Sequence, residues 1–253
     1  LTLEEPAAPE AVDAGIFEQV VEERESFDWA TFQPEHIVIR VPRTVQDAYV
    51  CSPDGARSTQ PDRYVRVEFA CTPATTPACF DLHKQRSSWC DPYHLLYTVN
   101  GETFAPPVDL NHARLPQLEP FCMEQSFTGS EDRTLKYAYY EPEEAKAAPG
   151  KKLPLVIWLH GAGEGGTNTF LPLLGNKATA LASPEFQQAM GGAAYLLVPQ
   201  TNGFWMEYDA PDTWAQNPGK PSVYTKTLKE LIDAFVAAHP AVDADRILLC
   251  GCS

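Results

Sequence analysis

Two short segments of this 253-residue chain have residue types and spacing suited to chemistry. The first is Gly251-Cys252-Ser253, which follows the apolar run Arg246-Ile247-Leu248-Leu249-Cys250. Gly-x-Ser opens the G-x-S-x-G pattern, in which a serine on a sharp strand-to-helix turn lifts its hydroxyl out of a sheet. The second is His160-Gly161-Ala162-Gly163-Glu164-Gly165-Gly166, at the end of the apolar run from Leu153 to Leu159. Its glycines let backbone approach a ligand closely, and successive N–H groups there can converge on an oxyanion. A phosphate-binding loop is the competing reading. It fails because no Gly-Lys-Ser/Thr follows and the Rossmann glycine spacing is absent. Gly-x-Ser alone is a weak signal. It gains weight here because both loops end a buried strand and a βα unit separates them.

The elements that must position these loops are legible nearby. Leu153 to Leu159 is apolar on both faces, as suits a central strand of a parallel sheet covered by helices. Ala193 to Val198 reads as a second buried strand and Arg246 to Cys250 as a third, with Leu135 to Tyr140 as a further strand. Ser183-Pro184-Glu185 marks a helix start. Tyr224, Leu228, Leu231, Ile232, Phe235 and Val236 recur at helical steps after Pro221-Ser222 and stop before His239-Pro240. Strand, helix, strand at this spacing predicts right-handed βαβ units in an α/β sheet. Active sites of such sheets lie at the carboxyl ends of the strands.

Residues from about Met123 to Ser253 resemble the amino-terminal part of an α/β-hydrolase of the feruloyl-esterase, polyhydroxybutyrate-depolymerase and predicted-peptidase kind. The residues that carry the likeness are Leu153 to Glu164, then Val198-Pro199-Gln200 with Phe204-Trp205, then Val242-Asp243-Ala244-Asp245-Arg246-Ile247 leading to Gly251-Cys252-Ser253. The resemblance implies that Ser253 is a nucleophile attacking an ester or amide carbonyl. It implies an oxyanion loop of His160, Gly161, Ala162 and Gly163, with one donor near the Ala162 N–H and His160 fixing the loop rather than moving protons. Glu164, Phe204 and Trp205 are expected at the substrate cleft. Neither a metal nor an organic cofactor is implied. The implied substrate is a small-molecule or polysaccharide-linked ester. A serine peptidase of prolyl-oligopeptidase type and a non-catalytic binding protein or pseudohydrolase are the alternatives. In this fold the acid and then the histidine follow the nucleophile, and nothing follows Ser253. The expectation is therefore a fragment: an incomplete sheet cut at the nucleophile turn, inactive alone but derived from an active hydrolase.

Composition limits the partners. A net charge of −15 rules against a general nucleic-acid binder, and no apolar run is long enough to span a bilayer as a helix. Residues 1–30 hold nine acids and only Arg24 as a base. They read as a solvated acidic leader, helical around Ile16 to Val21. Residues 31–120 read as a β-rich, sandwich-like domain, with strands at His36–Val41, Tyr64–Phe69 and Leu95–Val99 and an Asn100-Gly101 hairpin turn. The members of the resembling group often carry such a domain before the catalytic one. Residues 121–253 then form the hydrolase part. Cys51, Cys71, Cys79, Cys90 and Cys122 fit either one or two disulfides, which would imply export, or buried thiols. His83, His94 and His112 are scattered without metal-ligand spacing.

Overall fold

The structure is a computed structural model and describes residues 1–27, 31, 36–70, 80–83, 86–90, 92–109, 115–147, 150–208 and 219–252. It divides into two compact units, Leu1–Ala113 and Arg114–Ser253.

The first unit is built of strands β1 (Thr2–Ala7), β2 (Gln19–Phe27), β3 (His36–Arg43), β4 (Val45–Cys51), β5 (Asp62–Phe69), β6 (Phe80–His83), β7 (Arg86–Trp89), β8 (Tyr93–Val99) and β9 (Glu102–Phe104). They form a three-stranded sheet in the order β1-β5-β4, a four-stranded sheet β3-β2-β8-β9 and the hairpin β6-β7. All pairings are antiparallel. Val12, Ala48, Val50 and Val65 form a small core, and Phe17, packed on it, meets Tyr97 of β8 at 5.8 Å. Asn100 and Gly101 join β8 to β9 with positive φ at both positions, the geometry a two-residue hairpin turn demands.

Of the expected leader, residues 1–27 are described, and they are not a solvated leader. They contain β1 and the interior strand β2, and only a 3-10 turn at Ala14–Ile16 precedes β2 where a helix was expected. Charge counting averages over faces, whereas a strand sorts its residues to alternate sides. Val20 enters the core, Glu23 meets Arg40 across the strands, and Glu22 is fully buried against arginine. The carboxylate of Glu22 accepts from Arg43 Nη2 at 2.6 Å, Arg43 Nε at 2.9 Å, Arg24 Nε at 3.0 Å and Tyr93 OH at 3.0 Å.

The second unit begins before residue 121, because Leu115 and Leu118 already pack into its core beside Phe121. Its strands are β10 (Phe121–Thr128), β11 (Thr134–Tyr140), β12 (Leu153–Leu159), β13 (Tyr195–Gln200) and β14 (Val242–Gly251). Its helices are α1 (Glu143–Ala147), α2 (Phe170–Leu174), α3 (Pro184–Ala189) and α4 (Thr225–Ala238). The sheet order is β10-β11-β13-β12-β14, with β10, β11 and β13 antiparallel to their neighbours in turn and β12 parallel to both β13 and β14.

The pleat divides the sheet residues between two helical layers. Leu153, Leu155, Ile157, Tyr195 and Leu197 face Leu231 and Phe235 of α4, while Val156, Leu196 and Val198 face Leu173 of α2 and Phe186 of α3. Both faces are thus covered, which is why β12 and β13 lack the alternation of a half-exposed strand. Truncating a fully buried leucine such as Leu155 or Leu197 to alanine should cost about 2–5 kcal/mol. Ser183 accepts the Phe186 N–H at the start of α3, with Pro184 at the first helical position. β14 lies at the sheet edge and exposes Ile247, Leu248 and Leu249. A five-stranded mixed sheet with this order and helices on both faces is the α/β-hydrolase arrangement, here preceded by a β-rich unit.

Candidate active site

The parallel strands β13, β12 and β14 lie side by side, so the segments leaving their carboxyl ends converge. These are Thr201 after β13, His160 to Gly166 after β12, and Cys252 after β14. The register pairs Leu159 with Gly251, and the Cys252 N–H donates to Leu159 O at 3.1 Å. A Cβ on Gly251 would lie 2.9 Å from that same carbonyl oxygen, so the close approach of the two strand ends requires glycine there.

His160 is buried and both its ring nitrogens are engaged. Nε2 accepts the Thr201 N–H at 3.1 Å, which leaves Nδ1 as the protonated nitrogen, donating to Gly161 O at 2.7 Å. Burial holds its pKa below the usual histidine value, so the ring is a neutral cross-link between the ends of β12 and β13.

Ala162–Glu164 forms one 3-10 turn with Gly161 as its N-cap, and Glu164 N donates to Gly161 O at 3.1 Å. The opening amides of such a turn have no intrahelical acceptor. Among the described residues nothing accepts the Ala162 or Gly163 N–H, and Ala162 is exposed. Among the described residues, two donors without an acceptor therefore stand at the carboxyl end of β12. That is the arrangement an oxyanion can use. The turn is backed by close contact: a Cβ on Gly165 would lie 1.7 Å from Gly203 O.

Glu164 does not line a cleft. It is 3 % exposed, its Oε2 accepts the Gly161 N–H at 2.9 Å, and its Oε1 accepts Asn176 Nδ2 at 2.5 Å. Its backbone oxygen takes Gln200 Nε2 at 2.8 Å. The side chain folds under the turn because the amide it caps is three residues back, within reach of a glutamate. Burial raises its pKa, against the opposing effect of the Gly161 and Asn176 hydrogen bonds.

Phe204 and Trp205 part company. Phe204 is 37 % exposed, whereas the Trp205 ring stands 5.4 Å from His160 and 6.2 Å from Tyr224. Trp205 lines a largely apolar groove of about 310 Å³ with Leu159, Met206, Tyr208, Pro221 and Leu228. Among the described residues, Trp205 Nε1 and Gln200 Oε1 are buried without a partner. Ser253 lies outside the described residues, the last of which is Cys252. Asn176, Gln200 and Thr201 escaped sequence reasoning as site residues. For Gln200 and Thr201 the one signal is that a strand as apolar as β13 ends in Gln200 and is followed by Thr201, both of them polar and fully buried.

Of the cysteines, Cys51, Cys122, Cys250 and Cys252 are free thiols, and Cys71 and Cys79 lie outside the described residues.

No protein-family model matches the chain, and a search of curated proteins found no match. Solved structures do match. A thermostable esterase superposes over 100% of this chain and 65% of its own, with a TM-score of 0.63 at 18% identity. A ferulic acid esterase covers 50% of this chain and 48% of its own at 16% identity and a TM-score of 0.36. An acetyl xylan esterase from Paenibacillus sp. R4 covers 63% and 40% at 17% identity and a TM-score of 0.29. The chain thus spans 65% of the length of the esterase whose fold it shares.

Proposed function

We propose that the full-length polypeptide carrying this chain is a carboxylic ester hydrolase that works through an acyl-enzyme on Ser253. The observation that carries this reading is the hydrogen bond from Cys252 N–H to Leu159 O. It sets the residue before Ser253 beside a turn whose Ala162 and Gly163 amides have no acceptor among the described residues. Nucleophile and oxyanion donors must share one carbonyl group, and a contact between Cys252 and the strand that leads into the turn supports that reading. The α/β-hydrolase fold supplies the strand ends, and the residues on them supply the chemistry.

In this reading Ser253 Oγ attacks the ester carbonyl as its proton passes to a base. The carbonyl π electrons move onto oxygen, which accepts hydrogen bonds from the Ala162 N–H and the N–H of the residue after Ser253 as its negative charge develops. Collapse expels the alcohol and leaves an acyl-serine, which water hydrolyses by the same route. His160 is not that base, because its Nε2 lone pair is occupied by Thr201 and burial disfavours its protonation. His239 is not the base either: it stacks 4.0 Å from Phe235 and packs on Tyr195 at the opposite, amino end of β13. In this fold the acid and histidine come after the nucleophile. The proposed activity is therefore that of a polypeptide in which an acid and a histidine complete the triad with Ser253.

The apolar groove beside Leu159 and Trp205 supports an acyl or aryl ester, feruloyl esters of polysaccharides included, as the substrate class. The test is labelling of full-length protein with an organophosphonate, followed by hydrolysis of methyl ferulate, a p-nitrophenyl ester and a peptide amide. Labelling at Ser253 with ester turnover supports the proposal. Faster cleavage of the amide would assign a peptidase instead, and absence of labelling would assign a non-catalytic protein.

A further inference from the structure

We infer that Glu164 is a positioning residue that locks the oxyanion turn onto the nucleophile turn, an inference that rests on the ester-hydrolase reading above. Its carboxylate gathers hydrogen bonds from three separate segments. Gly161 N–H belongs to the loop after β12, Asn176 Nδ2 to the segment after α2, and Cys252 Sγ, the weakest donor at 3.9 Å from Oε2, to the turn after β14. The backbone oxygen of Glu164 adds a fourth tie through Gln200 at the end of β13.

The surroundings are shaped to this carboxylate. A Cβ on Gly175 would lie 2.0 Å from Glu164 Oε1, so the neighbouring position has space for the carboxylate only as glycine. Among the described residues no cation forms an ion pair with Glu164, although it is buried. A buried carboxylate held only by neutral donors costs stability unless those donors satisfy its oxygens. A purely apolar residue would avoid burying a charge but would leave the buried Gly161 N–H without this acceptor. The hydrogen bonds instead determine where Gly161 stands, and the next two residues, Ala162 and Gly163, carry the free amides. A shift of about 1 Å in catalytic geometry can cost about 100-fold in rate.

The test compares Glu164→Ala, Glu164→Gln and Asn176→Ala with wild type in the full-length polypeptide, reading kcat and KM on a p-nitrophenyl ester together with thermal unfolding. Glu164→Ala should lower kcat by about 100-fold with little change in KM, since the oxyanion exists only in the transition state. Glu164→Gln should recover most of that loss. Its Oε1 can still accept Gly161 N–H, and its amide can donate to Asn176 if that amide turns over. Asn176 lies at the surface, so Asn176→Ala keeps the fold and should lower kcat by about tenfold even if Glu164→Ala does not fold. Undiminished kcat in folded Glu164→Ala or in Asn176→Ala overturns the inference, and so does an equal loss in Glu164→Ala and Glu164→Gln. A wild type that neither turns over the ester nor reacts with phosphonate overturns the hydrolase reading itself, which the variant comparison does not touch.

Discussion

Replacing Ala162 by proline removes a single N–H from the proposed oxyanion site with little else disturbed. Ala162 is the first residue of the 3-10 turn Ala162–Glu164, the position where a helix tolerates proline because the N–H has no intrahelical acceptor. Gly161 stands at φ −76° and ψ 169°, the extended conformation that a residue before proline prefers. The side chain at 162 is exposed, and the Glu164 N–H to Gly161 O bond does not involve the substituted nitrogen. No internal hydrogen bond known among the described residues is lost. Stiffening the unfolded chain should leave stability unchanged or raise it by about 0.4–1 kcal/mol. Loss of one oxyanion donor in comparable sites costs about 2.7–4 kcal/mol of transition-state stabilisation, or about 100- to 1,000-fold in kcat. Thermal unfolding and steady-state hydrolysis of a p-nitrophenyl ester by the full-length polypeptide measure the two quantities separately. Ala162→Gly, which keeps the N–H, is the control. Ala162→Pro protein that unfolds like wild type and keeps its kcat within about threefold would refute Ala162 as a donor.

Other perturbations test other parts of the argument. Glu22→Gln leaves Arg43 buried without its carboxylate and should destabilise the β-rich unit by about 3–5 kcal/mol, read by urea unfolding; a loss below 1 kcal/mol would show that the network is not tightly held. His160 binds a proton more weakly folded than unfolded, so its contribution is intact well above pH 6.5 and is lost as pH falls below that value. His160→Gln should therefore flatten the fall in unfolding midpoint between about pH 7.5 and 5.5, and an unchanged slope would remove His160 from that role. Gly165→Ala places a methyl against the Gly203 carbonyl and should cost about 1–3 kcal/mol, because backbone on both sides must give way. A neutral effect on thermal unfolding would mean that the loop yields freely.

Much of the second unit was legible because its cues are local. The strands Leu153–Leu159 and Tyr195–Gln200 announce themselves by unbroken apolar runs, and α4 by its three-and-four spacing. β10 was missed although its residues alternate between sheltered and exposed, since Glu124, Gln125 and Ser126 break the apolar signal. In the first unit, acid content concealed β2. Glu22 and Glu23 look solvated until arginines from β3 arrive beside them, and those partners are 17 and 21 residues away. Leu115 and Leu118 likewise belong to the later core, though the local pattern around them carries no sheet period.

The candidate site shows the same division. Residue order by itself identified the two loops, since a glycine-rich turn and a Gly-x-Ser each end a buried strand, and chain geometry obliges such ends to emerge at one edge of a parallel sheet. It also identified the helix and strands that hold them, because periods of 3.6 and 2 are properties of neighbouring residues. Tertiary structure alone decided that β14 lies next to β12, which brings Cys252 onto Leu159. It alone turned Glu164 from a cleft residue into a buried clasp and His160 into a neutral cross-link to Thr201. The reason is that a hydrogen bond between Cys252 and Leu159, or between His160 and Thr201, joins residues far apart in the chain and leaves no periodic trace along it.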